Sequence, residues 1–79
     1  MNPDKLVRMV NRIGDFFLAM PERQEALEQI ALHLQRNWAP SLRLELLQLI
    51  DRGDAAALHP QVREAVLAHR AGLESGTRG

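Results

Sequence analysis

Four prolines at nearly even spacing constrain the fold of this 79-residue chain more than any other feature. Apolar residues at helical spacing follow Pro3, Pro21, Pro40 and Pro60. Proline fits the first turn of a helix, where its missing N–H would have no intrahelical partner. The spacing therefore predicts an all-α fold, a small bundle of four short helices. The predicted helices span residues 3–19, 21–37, 40–52 and 60–71.

The residues beside these helices predict where they begin and end. Asn2 is placed to cap the first helix, His59 holds the cap position before Pro60, and Gly53 is suited to end the third helix. A chain of this length forms one domain at most. We expect a single helical domain over residues 1–73 and a mobile C-terminal tail over residues 74–79, because the tail has no apolar anchor.

The first predicted helix carries two apolar stripes. The stronger stripe predicts the buried face and comprises Leu6, Met9, Val10, Ile13, Phe16, Phe17 and Met20. The fainter stripe lies on the other side and comprises Val7, Asn11, Gly14 and Leu18. Glycine inside a helix costs about 1 kcal/mol relative to alanine. Either another backbone approaches closely at Gly14, or the glycine is simply tolerated on the surface.

The third predicted helix has leucines on more than one side. Leu42, Leu46 and Leu49 form one face, whereas Leu44 and Leu47 point to the other. A helix that is apolar all round is normally buried all round, and four short helices cannot easily enclose one of their own members. We therefore predict that the side with Leu44 and Leu47 faces another protein. The alternative is that leucine serves here only as a strong helix former.

Composition excludes several classes of function. Ten Lys and Arg balance ten Asp and Glu, so no net charge favours nucleic acid or anionic lipid. The absence of cysteine excludes disulfides, iron–sulfur clusters and thiolate metal sites. No apolar run could cross a bilayer, and the N-terminus lacks the apolar core of a signal peptide. We expect a cytoplasmic protein.

No catalytic, cofactor-binding or metal site is expected in this chain. His33, His59 and His69 lack the spacing of a helical metal site, and packing or capping roles suit them better. Glycine-rich phosphate loops are also absent. Arg36, Trp38 and Arg43 surround the turn between the second and third helices, and Trp and Arg are enriched at binding hot spots. We expect the Trp38 ring to pack inside while the arginines face a partner.

Two segments resemble a known protein family. Lys5–Phe17 reads KLVRMVNRIGDFF and His33–Arg43 reads HLQRNWAPSLR. They resemble the delta subunit of cytoplasmic NAD-dependent molybdenum formate dehydrogenases, whose segments read roughly K-L-V-x-M-x-N-x-I-x-x-F-F and H-L-x-x-F-W-D-P-x-M-R. The resemblance runs from about residue 4 to about residue 68. Asn37 and Ala39 depart from the pattern, and losing the family's Asp cap at Ala39 should cost about 1 kcal/mol.

The resemblance implies a non-catalytic accessory subunit that binds and stabilises the large molybdenum-containing subunit. The molybdenum pterin, iron–sulfur clusters and FMN of such an enzyme, which uses NAD, would lie in the larger subunits. The residues predicted to bind the partner are Asn11, Gly14, His33, Arg36, Trp38, Arg43, Leu44 and Leu47. Two alternatives stay open: a free-standing regulatory helical module such as a DNA-binding protein, and a homodimer that buries the third helix against itself.

Overall fold

The computed structural model describes residues 2–75, which form five helices and no strands within that range. The helices are α1 (Pro3–Phe17), α2 (Arg23–Asn37), α3 (Pro40–Arg52), α4 (Pro60–Ala68) and α5 (Arg70–Ser75). The predicted all-α fold is confirmed. None of the helices in this part of the chain is long and apolar enough to cross a lipid bilayer.

Proline and side-chain caps define most of the helix starts. The Asn2 carboxamide oxygen accepts hydrogen bonds from the backbone N–H groups of Asp4 and Lys5, as predicted for an N-cap. Pro3, Pro40 and Pro60 each occupy the first position of a helix. Pro21 does not, because residues 18–22 form a turn and α2 begins only at Arg23. The predicted first and second helices were therefore too long at this junction.

The fourth predicted helix is in fact two helices. α4 ends at Ala68, and His69 leaves the helical conformation with φ −114° and ψ 26° before α5 begins at Arg70. The bend brings Leu73 into the core, and the Gln35 side-chain amide of α2 donates a hydrogen bond to the carbonyl of Gly72. The predicted tail starts at residue 74, whereas α5 continues through Ser75. Residues 76–79 lie outside the described residues.

The core lies around α2, which contacts each of the other four helices. Its largest fully buried side chains come from all five helices, so no helix is a surface addition. They are Leu6, Val10, Ile30, Leu34, Leu46, Leu47, Val62, Val66 and Leu73. Trp38 follows α2 and joins this cluster with 8% of its surface exposed, which confirms the prediction that its ring packs inside.

Gly14 sets how closely α1 approaches α4. A Cβ atom at this position would overlap a methyl group of Val62 on α4. The close approach of another element is therefore the correct interpretation of this glycine, although the approaching atom belongs to a side chain and not to the backbone. Glycine is favoured at position 53 for a different reason. Gly53 ends α3 in the left-handed conformation with a φ of 79°, as predicted.

Close packing at Gly14 gives α1 an orientation that the apolar pattern did not predict. The side with Val7, Val10 and Gly14 is buried, and Leu6 completes that face. The predicted core residue Phe16 is instead 74% exposed. The predicted stronger face is buried at Leu6 and Val10 and was wrong at Phe16. Val7 and Gly14 of the fainter stripe are buried as well, because the glycine lets α4 come near.

Charged side chains hold α5 against α3. The Nη1 and Nη2 atoms of Arg70 donate hydrogen bonds to the two carboxylate oxygens of Asp51 at 2.9 and 2.6 Å, and its Nε donates to Glu74 at 2.9 Å. These bonds from Arg70 hold the pKa of Asp51 below its ordinary value of 3.8, and its carboxylate raises the pKa of Arg70. A two-point contact of this kind gives α5 a defined position.

We expect Gly14→Ala to lower the free energy of unfolding by about 1–3 kcal/mol, because the new methyl group overpacks the contact with Val62. Urea unfolding of the full chain measures this loss. Gly72→Ala is the matched control, since its Cβ would meet only the flexible end of Gln35. Adding Val62→Ala to Gly14→Ala should restore part of the loss. A harmless Gly14→Ala substitution would contradict the packing argument.

We expect Asp51→Asn to speed amide hydrogen exchange in α5 at neutral pH, because the substitution removes the carboxylate that holds Arg70. The lowered pKa of Asp51 means that its contribution to stability is present above about pH 3.8. That contribution is lost as the pH falls through the folded-state value. The difference between the two proteins should therefore shrink in acid. Asp54→Asn, which removes the partner of Arg52, should leave α5 unchanged.

Candidate partner-binding surface

A partly exposed apolar surface lies along one side of α1, with Phe16 as its exposed member. Met9, Ile13 and Phe16 follow one another at helical spacing, and Phe17 and the α2 residue His33 continue the surface. The Phe16 and Phe17 rings meet edge to face with centroids 5.0 Å apart, and the centroids of Phe17 and His33 are 5.8 Å apart. We call these five residues the aromatic surface.

Three cations border the aromatic surface. Lys5, Arg8 and Arg12 are exposed on α1, and within residues 2–75 no carboxylate pairs with any of them. Some arginines elsewhere in the fold are paired, as Arg23 is with Glu64 and Arg70 with Asp51. We call the three cations the basic edge. Exposed aromatic rings beside unpaired arginine are the composition typical of a protein interface.

The side chains that could hold a metal ion are dispersed in the part of the chain that the structure describes. In this part of the chain no three His, Cys, Asp or Glu side chains lie close enough together to hold a metal ion, and the whole chain has no cysteine. The donors present therefore do not fit a metal ion or an iron–sulfur cluster. His59 Nε2 lies 2.9 Å from Asp15 Oδ1, and this pair links the loop before α4 to α1.

Two of the predicted partner-binding residues, Asn11 and Gly14, make contacts within the fold. Asn11 Oδ1 accepts a hydrogen bond from the backbone N–H of His59 at 2.9 Å, and its Nδ2 donates to the carbonyl of Ala57 at 3.0 Å. The side chain thus fastens the loop between α3 and α4 to α1. Gly14 is buried against Val62. Gly14 has no exposed surface for a partner, whereas Asn11 is half-buried.

Four more of the predicted partner-binding residues have different environments: His33, Arg36, Trp38 and Arg43. His33 is half-buried in the aromatic surface, and Asn37 donates a hydrogen bond to its backbone carbonyl at 3.0 Å. Arg36 is exposed one turn further along α2. Trp38 belongs to the core. Arg43 is only 5% exposed, so the prediction that both arginines stand on the surface was wrong for this one.

The predicted interface side of α3 is not exposed. Leu47 is 1% exposed and belongs to the core, and Leu44 is half-buried against it. Helix α5, which sequence periodicity did not separate from α4, explains this burial. It packs on α3 and covers the side of α3 that a four-helix bundle would have left exposed. The premise that Leu44 and Leu47 point toward solvent was therefore wrong.

A comparison with family models gives one match over most of the chain. The model of the NADH-dependent formate dehydrogenase delta subunit FdsD matches residues 5–66. The chain belongs to this delta-subunit family. Comparison with curated proteins and with solved structures finds no match.

The family match confirms the resemblance drawn from the two sequence segments. In the delta-subunit fold seen here, the matched residues include the aromatic surface, Trp38 and Arg43, and end within α4. A subunit of formate dehydrogenase implies partner subunits.

Sequence analysis assigned the apolar residues of the aromatic surface to the stronger stripe of α1, and helical periodicity alone cannot distinguish an exposed apolar surface from a buried face. Within that stripe Phe16 is exposed, whereas Met9, Ile13 and Phe17 are partly buried against the core. One signal in the sequence could have found it. Gly14 lies on the opposite side of α1, and an interior glycine is compatible with close packing where the side chains beside it are large.

We expect Asn11→Ala to destabilise the delta-subunit fold by about 1–3 kcal/mol, because two backbone groups of the loop lose their partner. Thermal or urea unfolding measures the change. Asn37→Ala is the control, since the Asn37 amide bonds only within its own exposed helix end. A stability equal to that of the unmodified chain, combined with weaker partner binding, would instead make Asn11 an interface residue.

Proposed function

We propose that this chain is a non-catalytic delta subunit that binds the large molybdenum-containing subunit of formate dehydrogenase and stabilises the assembled enzyme. Formate oxidation and electron transfer to NAD⁺ would then take place in the larger subunits. The 74% exposure of Phe16 is the observation that carries the proposal. A large aromatic side chain left in water gains free energy when a partner covers it.

The aromatic surface has the composition expected of an interface centre. Phe16, Phe17 and His33 supply rings, while Met9 and Ile13 supply flexible and branched apolar side chains. Apolar residues at a contact supply most of the binding free energy, and a charged border adds orientation and speed. The basic edge favours a partner that carries carboxylates around an apolar patch.

A second copy of this chain is a poorer occupant of the same surface. A two-fold contact uses the same patch on both copies. It would bring a second set of Lys5, Arg8 and Arg12 to the contact, and the Asp15 carboxylate beside them offsets only part of that charge. Light scattering on the isolated chain tests this alternative, which the delta-subunit proposal expects to fail.

DNA recognition has little support from the geometry. A recognition helix must present side chains into a groove. α3, the helix considered for that role, has Leu46, Leu47 and Leu49 buried and α5 packed on it. The basic edge lies instead on α1 beside apolar rings, and the chain has no net charge. A regulatory DNA-binding module is therefore not proposed.

We expect Phe16→Ser to weaken binding to the large subunit about 30-fold, equivalent to about 2 kcal/mol for an aromatic hot spot, while the chain keeps its helicity. The test co-expresses the full chain with the tagged large subunit and measures recovery and dissociation constant. Leu67→Ser is the matched control, because Leu67 on α4 is the other exposed large apolar side chain, at 43%. Equal binding by both variants would refute the proposed surface.

A further inference from the structure

Arg43 is the one buried charged side chain among residues 2–74, whose burial the structure describes. It lies in the first turns of α3 with 5% of its surface exposed. Its Nε atom is enclosed and has no hydrogen-bond partner, and no ion pair within the described residues involves its guanidinium. Arg63 and Arg70, which are half-buried, both have acceptors.

The enclosed Nε of Arg43 has no acceptor, and a buried donor left unsatisfied is unfavourable in the isolated chain. Arginine stays protonated at any ordinary pH, so it cannot relieve the cost by losing its charge. A methionine of similar length would fill the same space with no polar atom to satisfy. An acceptor that reaches Arg43 from outside this chain would satisfy the guanidinium and offset this cost.

The surroundings of Arg43 favour an anionic acceptor. Ala39, the N-cap of α3, has no side-chain oxygen to accept hydrogen bonds from the start of the helix. The partial positive charge of the α3 N-terminus is thus not offset there. The planar guanidinium adds donors that match the two oxygens of a carboxylate. The α3 N-terminus and the Arg43 guanidinium are thus both complementary to an anionic group.

We infer that Arg43 binds a carboxylate that the large subunit of formate dehydrogenase presents to it, an inference that rests on the proposed function. A free carboxylate would meet only the edge of the guanidinium in water, where ion pairs contribute little. A partner surface that covers this edge excludes water and strengthens the same ion pair. Arg43 would then be a second contact, separate from the aromatic surface.

Replacing Arg43 should have opposite effects on the free chain and on the complex. We expect Arg43→Met to raise the Tm of the isolated full chain by about 4 °C or more, because an unpaired buried charge is removed. The same variant should bind the large subunit about 30-fold more weakly, because the carboxylate loses its donor. Arg43→Lys keeps the charge without the paired donors and should bind with intermediate strength.

Differential scanning calorimetry and surface plasmon resonance supply the two readouts. An unchanged dissociation constant for Arg43→Met, with an equal or lower Tm, would overturn the inference and make Arg43 a packing residue. If Arg43→Met does not fold, Arg43→Lys decides, and full binding by that variant overturns the carboxylate contact. If the unmodified chain itself does not bind the large subunit, the proposed function fails first.

A titration with sodium formate or sodium acetate against sodium chloride at matched ionic strength identifies the source of the carboxylate. We expect no saturable rise in the Tm of the isolated chain, because the acceptor belongs to the large subunit. A saturable rise that Arg43→Met abolishes would show a site for a free small carboxylate. That result would overturn the assignment to the large subunit.

Discussion

The contact between Gly14 of α1 and Val62 of α4 determines the arrangement on which the rest of the molecule depends. A Cβ on Gly14 would hold the two helices apart, so the glycine side of α1 is the side on which α4 can pack closely. α1 then buries Leu6, Val7 and Val10 beside the glycine and presents Phe16 to solvent. The proposed binding surface is thus a consequence of how the core packs.

The chain has no net charge, but its ion pairs are unevenly distributed over the fold. Ion pairs join distant elements in the second half of the chain, as Arg70 does with Asp51. The basic edge on α1 and Arg43 on α3 have no such partners within residues 2–75. In a subunit of a larger enzyme, unpaired cations beside exposed rings are where complementary carboxylates would lower the free energy of association.

Much of the fold could be predicted from local rules. Proline at the first helical position, the Asn2 cap and the left-handed Gly53 act through their immediate neighbours, so their effects are visible in the sequence. The bend at His69 was not predictable in this way. It depends on Leu73 reaching a core formed by other helices. Because α5 was missing from the prediction, Leu47 was placed on the surface when it is buried.

The sequence by itself determined that this chain is helical, where three of its helices begin, and, through two motif segments, which family it belongs to. Only the tertiary structure decided which side of α1 is buried and that Arg43 lies inside without an acceptor. Helical periodicity reports that a helix has an apolar side, and α1 has two. The choice between them is made by the shape of the neighbour, since Val62 fits against a glycine and not against Phe16.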